Sequence, residues 1–246
     1  MAFSPPGPAT ILVQDERFVV HAERGDAWEH VQRVRLRGHD VGEAVQTARA
    51  VMRETGASIA SWWLSEHATP ADVAERLLEH GLTIVEGDYL IDGMLLTSPP
   101  PPAPRGVEAR PIASAAELAE ASALQYEVFA TPPEQRRRGA AEEFERLCGT
   151  EQERVYAAWV DGRLAGAGRS YFTPRGVMVA GGATAPWARG RGAYRALVCA
   201  RWEDAAARGT PALAVHAKDT SAPILTRLGF EKVLQFRRLQ DVAFTP

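Results

Sequence analysis

From Val41 to Thr55 the apolar positions Val41, Ala44, Val45, Ala48, Val51 and Met52 recur at the spacing of one helix face, and Gly56 stands where a left-handed cap would stop the helix. The run Ala57 to Leu64 that follows predicts a strand. Its neighbours Trp62 and Trp63 must point to opposite faces, which implies burial on both sides. Thr69-Pro70 predicts an N-cap and first-turn proline for a short helix carrying Val73, Ala74, Leu77 and Leu78 and ending at His80-Gly81. Leu82 to Leu96 returns as extended chain broken at Gly87-Asp88 and Asp92-Gly93, and ahead of all this Thr10 to Val13 and Phe18 to His21 predict two short strands.

The tract Ser98-Pro-Pro-Pro-Pro-Ala-Pro104 cannot pair in a sheet centre and reads as a stiff spacer between domains. Beyond it Val107 to Arg110 predicts a strand. Ser114 with Glu117 matches a capping box for a helix through Leu118, Ala121, Leu124, Gln125 and Val128. Thr131-Pro-Pro-Glu134 breaks that helix, and Arg136 to Gly149 predicts a second with Phe144, Leu147 and Cys148 on one side. Arg154 to Val160 and Leu164 to Phe172 flank Asp161-Gly162, a strong two-residue hairpin signal, and Thr173-Pro-Arg-Gly176 turns into a third strand from Val177 to Ala183. A long helix with Tyr194, Leu197, Val198, Trp202, Ala205 and Ala206 on one face ends at Gly209. A strand from Pro211 to His216, a short helix closing in Leu228-Gly-Phe230, and a last strand from Val233 to Val242 follow.

Composition changes this picture little. The 246 residues, 46% apolar and 24% charged, suffice for one large domain or two small ones. A net charge of −3 gives no reason to expect nucleic acid as a partner. No run of about 18 uncharged apolar residues and no basic-then-apolar leader occurs, so a cytoplasmic protein without a membrane partner is expected. Cys148 and Cys199, both inside predicted helices, read as buried thiols, and the six scattered histidines offer no ligand pair, so no metal is expected.

The chemistry-bearing stretch is Thr184-Ala-Pro-Trp-Ala-Arg-Gly-Arg-Gly-Ala-Tyr-Arg-Ala-Leu197. Gly190 and Gly192 let backbone N–H groups approach an anion, the helix that follows aims its N-terminal dipole at the same spot, and Arg189 and Arg191 add charge. The order of helix, Gly, strand, helix, Gly and strand occurs twice, once in each half. Before its first helix the N-terminal half carries Arg37-Gly-His-Asp-Val-Gly42, where Asp40 would repel an anion.

This order of elements, with the glycine-rich loop and Leu228-Gly-Phe230, resembles the GNAT superfamily of acetyl-CoA-dependent N-acetyltransferases, well over Val107 to Val242 and faintly over the first half. That family's pyrophosphate loop reads Gln or Arg, two residues, Gly, one residue, Gly or Ala. Arg189-Gly-Arg-Gly192-Ala-Tyr194 departs only at Tyr194. The resemblance implies an α/β (α+β) fold of two tandem GNAT-like domains, each a mixed, mostly antiparallel sheet flanked by helices. These would be a degenerate domain over 1–97, a Pro-rich linker over 98–105 and an acetyltransferase domain over 106–246. It implies acetyl-CoA as cosubstrate, with the pantetheine beside Ala183 and Thr184 and the pyrophosphate in the loop of Arg189, Gly190, Arg191, Gly192, Ala193 and Tyr194. A primary amine of a small molecule or peptide would attack the thioester directly, a strand N–H polarising the carbonyl, in a monomer or homodimer.

The family's usual tyrosine acid is Leu225 here, and its usual asparagine is Lys218. His216, at the end of its strand, is a candidate base. Tyr126 and Glu127, closing the first helix after the linker, are candidates to orient a cationic amine. Arg136 to Arg138 reads either as an anion patch or as a solvated helix face. Because of Leu225, a non-catalytic acyl-CoA-binding or sensing module stands as the alternative to an enzyme.

Overall fold

The computed structural model describes residues 9–23, 28–133, 136 and 139–243. The chain forms two compact units, one of residues 1–93, 217–222 and 232–246, the other of 94–216 and 223–231. In the first unit β1 (Ala9–Gln14), β2 (Val19–Glu23) and β3 (Trp28–Gln32) pair antiparallel in sequence. Helix α1 (Val41–Thr55) then crosses to β4 (Ile59–Ser65), which lies parallel to β3. Gly56 caps α1 at φ 72°, its N–H returning to the Met52 carbonyl. After α2 (Val73–Glu79) and the two-residue β5 (Thr83–Ile84), β6 (Leu90–Leu96) carries the chain into the second unit.

There β7 (Val107–Pro111) leads to α3 (Ala115–Val128), α4 (Ala140–Cys148) and the antiparallel strands β8 (Glu153–Val160), β9 (Arg163–Thr173) and β10 (Gly176–Thr184). Asp161 and Gly162 both take positive φ, 52° and 73°, as a tight right-twisting hairpin requires. Helix α5 (Ala193–Ala207) crosses to β11 (Leu213–Ala217), which runs parallel to β10, and α6 (Ala222–Arg227) follows. The strand order in this unit is β11-β10-β9-β8-β7. Leu118, Ala121, Leu147, Val155 and Ala167 form a cluster with α3 and α4, while Tyr156, Ala158, Ala193 and Leu197 belong to a second cluster reached by α5.

The last strand, β12 (Glu231–Asp241), lies beside β4, with Leu239 opposite Trp62, and completes the order β1-β2-β3-β4-β12. Its Asp241 accepts two bonds from the Arg49 guanidinium of α1, at 2.8 and 3.1 Å. Residues 232–246 thus group with the first unit, where the expected domain over 106–246 placed them in the second. The sheets are mixed and mostly antiparallel, as the resemblance implies.

Several local expectations are corrected. Strand β3 has no periodic signal and lies beyond the two strands read at the N-terminus. Thr69 does not cap α2. Its hydroxyl donates to the Leu36 carbonyl at 3.1 Å, and the helix starts after Asp72. Ser114 Oγ does accept the Glu117 N–H at 3.2 Å, but the Glu117 carboxylate accepts from Ala113 N–H and from both ends of Arg110 instead of closing the box on Ser114. Helix α4 begins at Ala140, and Arg137 and Arg138 lie outside the described residues, as does Glu134. Cys148 is exposed because it closes the last turn of α4, whereas Cys199 is buried. Trp62 is fully buried, but Trp63 on the other face is only half-buried and donates to His30 Nδ1 at 3.0 Å. The proline tract is packed along α5: Pro101 carbonyl lies 3.2 Å from Cys199 Sγ, and a Cβ on Gly192 would collide with the Pro104 ring.

Candidate functional site

Strands β10 and β11 are joined at one end and part at the other. Val177 N–H donates to the Ala212 carbonyl at 2.8 Å, and pairing runs through Val177 with Leu213, Met178 with Ala214 and Val179 with Val215. Beyond that pair the strands separate, and β10 bulges: Ala180 faces Arg169 and Ala183 faces Ala167, so that Gly181 and Gly182 together stand against the single residue Gly168. Both bulge glycines are exposed.

The bulge is fixed from the α3 side. Gln125 Nε2 donates to the Gly181 carbonyl at 2.6 Å. Gly181 sits at φ 59°, which favours glycine, and a Cβ there would lie 2.8 Å from the same Nε2 and push the Gln125 amide aside. Because a trans peptide sets N–H opposite C=O, holding the Gly181 carbonyl toward α3 turns the Gly182 N–H the other way. The sequence pointed to Tyr126 and Glu127, one and two residues further on. Tyr126 instead lies under the Arg136 guanidinium, 5.7 Å from the ring centre, and Glu127 is exposed. Nothing local marks Gln125, whose partner is 56 residues away.

At the open end of β10 the side chain of Ala183 is buried and Thr184 is half-buried. A short 3-10 turn, Pro186–Ala188, then enters the loop, with Gly190 and Gly192 at φ 76° and 86°. Arg189 and Arg191 use their own N–H groups on Pro186 and Ala188 carbonyls, at 3.4 and 3.2 Å. The first N–H bonded along α5 is that of Ala196, to Gly192 carbonyl at 3.0 Å. The amides of Gly190, Gly192, Ala193 and Tyr194 find no acceptor among the described residues, and the helix dipole points the same way.

The two arginines differ. Arg191 reaches back to Asp161 at 2.6 Å and lies 5.6 Å from the Trp187 ring centre, while the exposed Arg189 side chain has no partner among the described residues. Tyr194 does not stand at the loop's rim. Its ring lies beneath the bulge, where a Cβ on Gly182 would meet Cε2 at 2.7 Å, and burial raises its hydroxyl pKa.

His216 is the first residue of β11 past the last pair, at the point of separation. Surrounding protein pushes its pKa down to about 4, although the residue is exposed at the surface, so the imidazole is neutral near pH 7. Leu225 is fully buried in α6. Lys218 forms an ion pair with Asp88 in the first unit. Among the described residues no group of three His, Cys, Asp or Glu could hold a metal ion, and no helix is long and apolar enough to cross a membrane.

No family model matches the chain, and no curated protein matches it in sequence. Solved structures do. A GCN5-related N-acetyltransferase from Kribbella flavida superimposes with TM-score 0.70 over 94% of this chain and 89% of its own, at 21% identity. The fold is that of the GCN5-related N-acetyltransferases. A second GNAT protein, from Sphaerobacter thermophilus, gives TM-score 0.65 at 21% identity over 91% of this chain and 75% of its own. A tandem GNAT protein from the clavulanic acid biosynthesis pathway gives 0.62 at 16% identity over 98% and 85%. At these identities the likeness is one of GNAT architecture, and the chemistry has to be argued from the residues.

Proposed function

We propose that the chain is an N-acetyltransferase that transfers acetyl from acetyl-CoA to a primary amine of a small molecule or peptide by direct attack in a ternary complex. The observation that carries this reading is the set of amides of Gly190, Gly192, Ala193 and Tyr194 at the start of α5, without an acceptor among the described residues, beside the exposed Arg189 side chain at the open end of the splay between β10 and β11. Donors of that number and sign suit a pyrophosphate. Ala183 and Thr184 would line the pantetheine arm with backbone, and the Gly190, Gly192, Ala193 and Tyr194 N–H groups with the Arg189 side chain would hold the diphosphate. Arg191 is committed to Asp161 and supplies only background charge.

In this reading the Gly182 N–H, aimed by Gln125, polarises the thioester carbonyl. Neutral His216, through water, takes the proton of the incoming amine. The amine lone pair forms the C–N bond and the C–S bond breaks with its electrons on sulfur. Tyr126 and Glu127, near Gln125 at the end of α3, would orient the amine. The first unit is then a partner domain without its own cradle.

Incubating the protein with acetyl-CoA and a panel of amines while following free thiol tests the enzyme. Tight CoA binding with no thiol release across the panel would favour the acyl-CoA-binding module instead, which the buried Leu225 supports by leaving no acid at that place.

A further inference from the structure

On the side of β9 and β10 that faces α5 lies a buried charge with no counter-ion among the described residues. Arg201 is 1% exposed, and its Nε and Nη2 are enclosed without an acceptor. It makes no hydrogen bond or ion pair among the described residues. Asp204, three residues on along α5, is taken by the Tyr156 hydroxyl, by Arg154 at 2.6 Å and by Arg208 at 3.4 Å. Around the guanidinium stand the Tyr156 ring, 5.8 Å away, and the Tyr194 ring, neither of them anionic near neutral pH.

The head group is placed with care. A Cβ on Gly168 would collide with Arg201 Nη2, lie 2.9 Å from its Cζ and 3.3 Å from the Cα of Gly182. The guanidinium therefore occupies the space that Gly168 leaves open, directly behind the exposed bulge, with one layer of backbone between it and the splay. An unpaired buried charge is costly and is normally removed or neutralised. Here the low-dielectric wall keeps its field strong at the bulge.

We propose that Arg201 is a positioning residue for charge, which stabilises the negative sulfur and carbonyl oxygen that form at Gly181 and Gly182 when an acyl thioester is attacked. The proposal rests on the acetyl-CoA reading above. It explains how the reaction dispenses with the hydroxyl absent at Leu225: the C–S electron pair leaves as an unprotonated thiolate, held by the field of Arg201, and the thiolate takes a proton from solvent afterwards. Arg201 touches neither the thioester nor the amine. Its influence passes through the bulge peptide, as pre-organised electrostatic stabilisation does elsewhere.

The test reads the thiol of bound CoA, which needs no acceptor. Thiolate absorbance at neutral pH, measured for CoA bound to the wild type, Arg201→Lys and Arg201→Met, gives the ratio of ionised to neutral sulfur. The wild type and Arg201→Lys are expected to raise that ratio about tenfold over free CoA, and Arg201→Met to bind CoA equally well with the ratio of free CoA. The thermal midpoint of Arg201→Met is expected at or above the wild type, because the change removes an unpaired buried charge. Should the Met variant not fold, Arg201→Gln carries the same comparison. An unchanged ratio in the neutral variant, or loss of CoA binding by a folded one, overturns the role of Arg201. Failure of the wild type to bind CoA at all sinks the acetyl-CoA reading itself.

Discussion

The starts of α1 and α5 are the same place in two copies of one element order, yet they are built differently. Before α1 the chain makes a 3-10 turn, Gly38–Asp40, in which the Asp40 carboxylate accepts the Arg37 N–H at 3.3 Å and meets His39 at 3.1 Å. The turn satisfies itself with a side-chain anion. Before α5, two glycines at positive φ leave four amides unpaired, and no acid among the described residues sits on them. Element order sets the scaffold, and local residues shape the helix start: two glycines at positive φ stand before α5, whereas neither Gly38 nor Gly42 takes positive φ around the start of α1.

The sharpest way to break this contrast is to give α5 the acid that α1 has. Gly192 is a poor place, since any side chain there also strikes Pro104, but a Cβ on Gly190 meets nothing. The double change Arg189→Ala with Gly190→Asp is expected to weaken CoA binding at least a hundredfold by calorimetry, since two charge-assisted bonds at about 1.5 to 3 kcal/mol each are lost. Retained affinity would mean that CoA, if it binds, binds elsewhere.

A second difference lies in proton linkage. His21 on β2 of the first unit is 2% exposed, and burial pushes its pKa down to about 4. As pH falls below about 6.5 the unfolded chain takes up that proton first. Stability is therefore full above this pH and is lost progressively down to about 4, by up to about 3 kcal/mol. His216 in the second unit shifts the same way but meets solvent, which mutes its share. Urea midpoints measured across this window should fall with acidification in the wild type and fall less in His21→Phe. An identical slope in both would remove His21 as the cause.

Smaller still is the expected loss on Gln125→Ala. With its clamp on the Gly181 carbonyl gone, kcat should drop about tenfold, one hydrogen bond's worth, with CoA affinity unchanged. The opposite split, weaker binding at full kcat, would make Gln125 a substrate contact. Least of all, Asp40→Gly should leave CoA binding at one site per chain, because neither Gly38 nor Gly42 takes the positive φ that opens the loop before α5. A second bound equivalent would show that Asp40 alone silenced it.

What the sequence made legible was whatever is encoded within a few residues. Gly56, Gly209 and Gly229 take the left-handed conformations their positions called for, at φ 72°, 75° and 94°, and Asp161-Gly162 closes the hairpin it announced. The positive φ of Gly190 and Gly192 was readable for the same reason, since it is written in consecutive residues. Gln125 and Arg201 were not. One acts on a carbonyl 56 residues away, and the other sits in a helix buried on most of its circumference, where a basic residue reads as one more solvated charge until the space at Gly168 is seen. The pairing of β12 with β4 was likewise invisible, since residues such as Leu239 and Trp62 carry no mark of each other.

That last pairing has a consequence for how the polypeptide is made. The first unit's sheet is finished by Glu231–Asp241, and the buried Asp241 locks to Arg49 near the other end of the chain. A ribosome releases the N-terminal strands long before their neighbour exists, so β4 waits with an open edge while the whole second unit is synthesised. Vectorial assembly, in which each domain closes as it emerges, is denied to this protein: the part translated first is the part completed last.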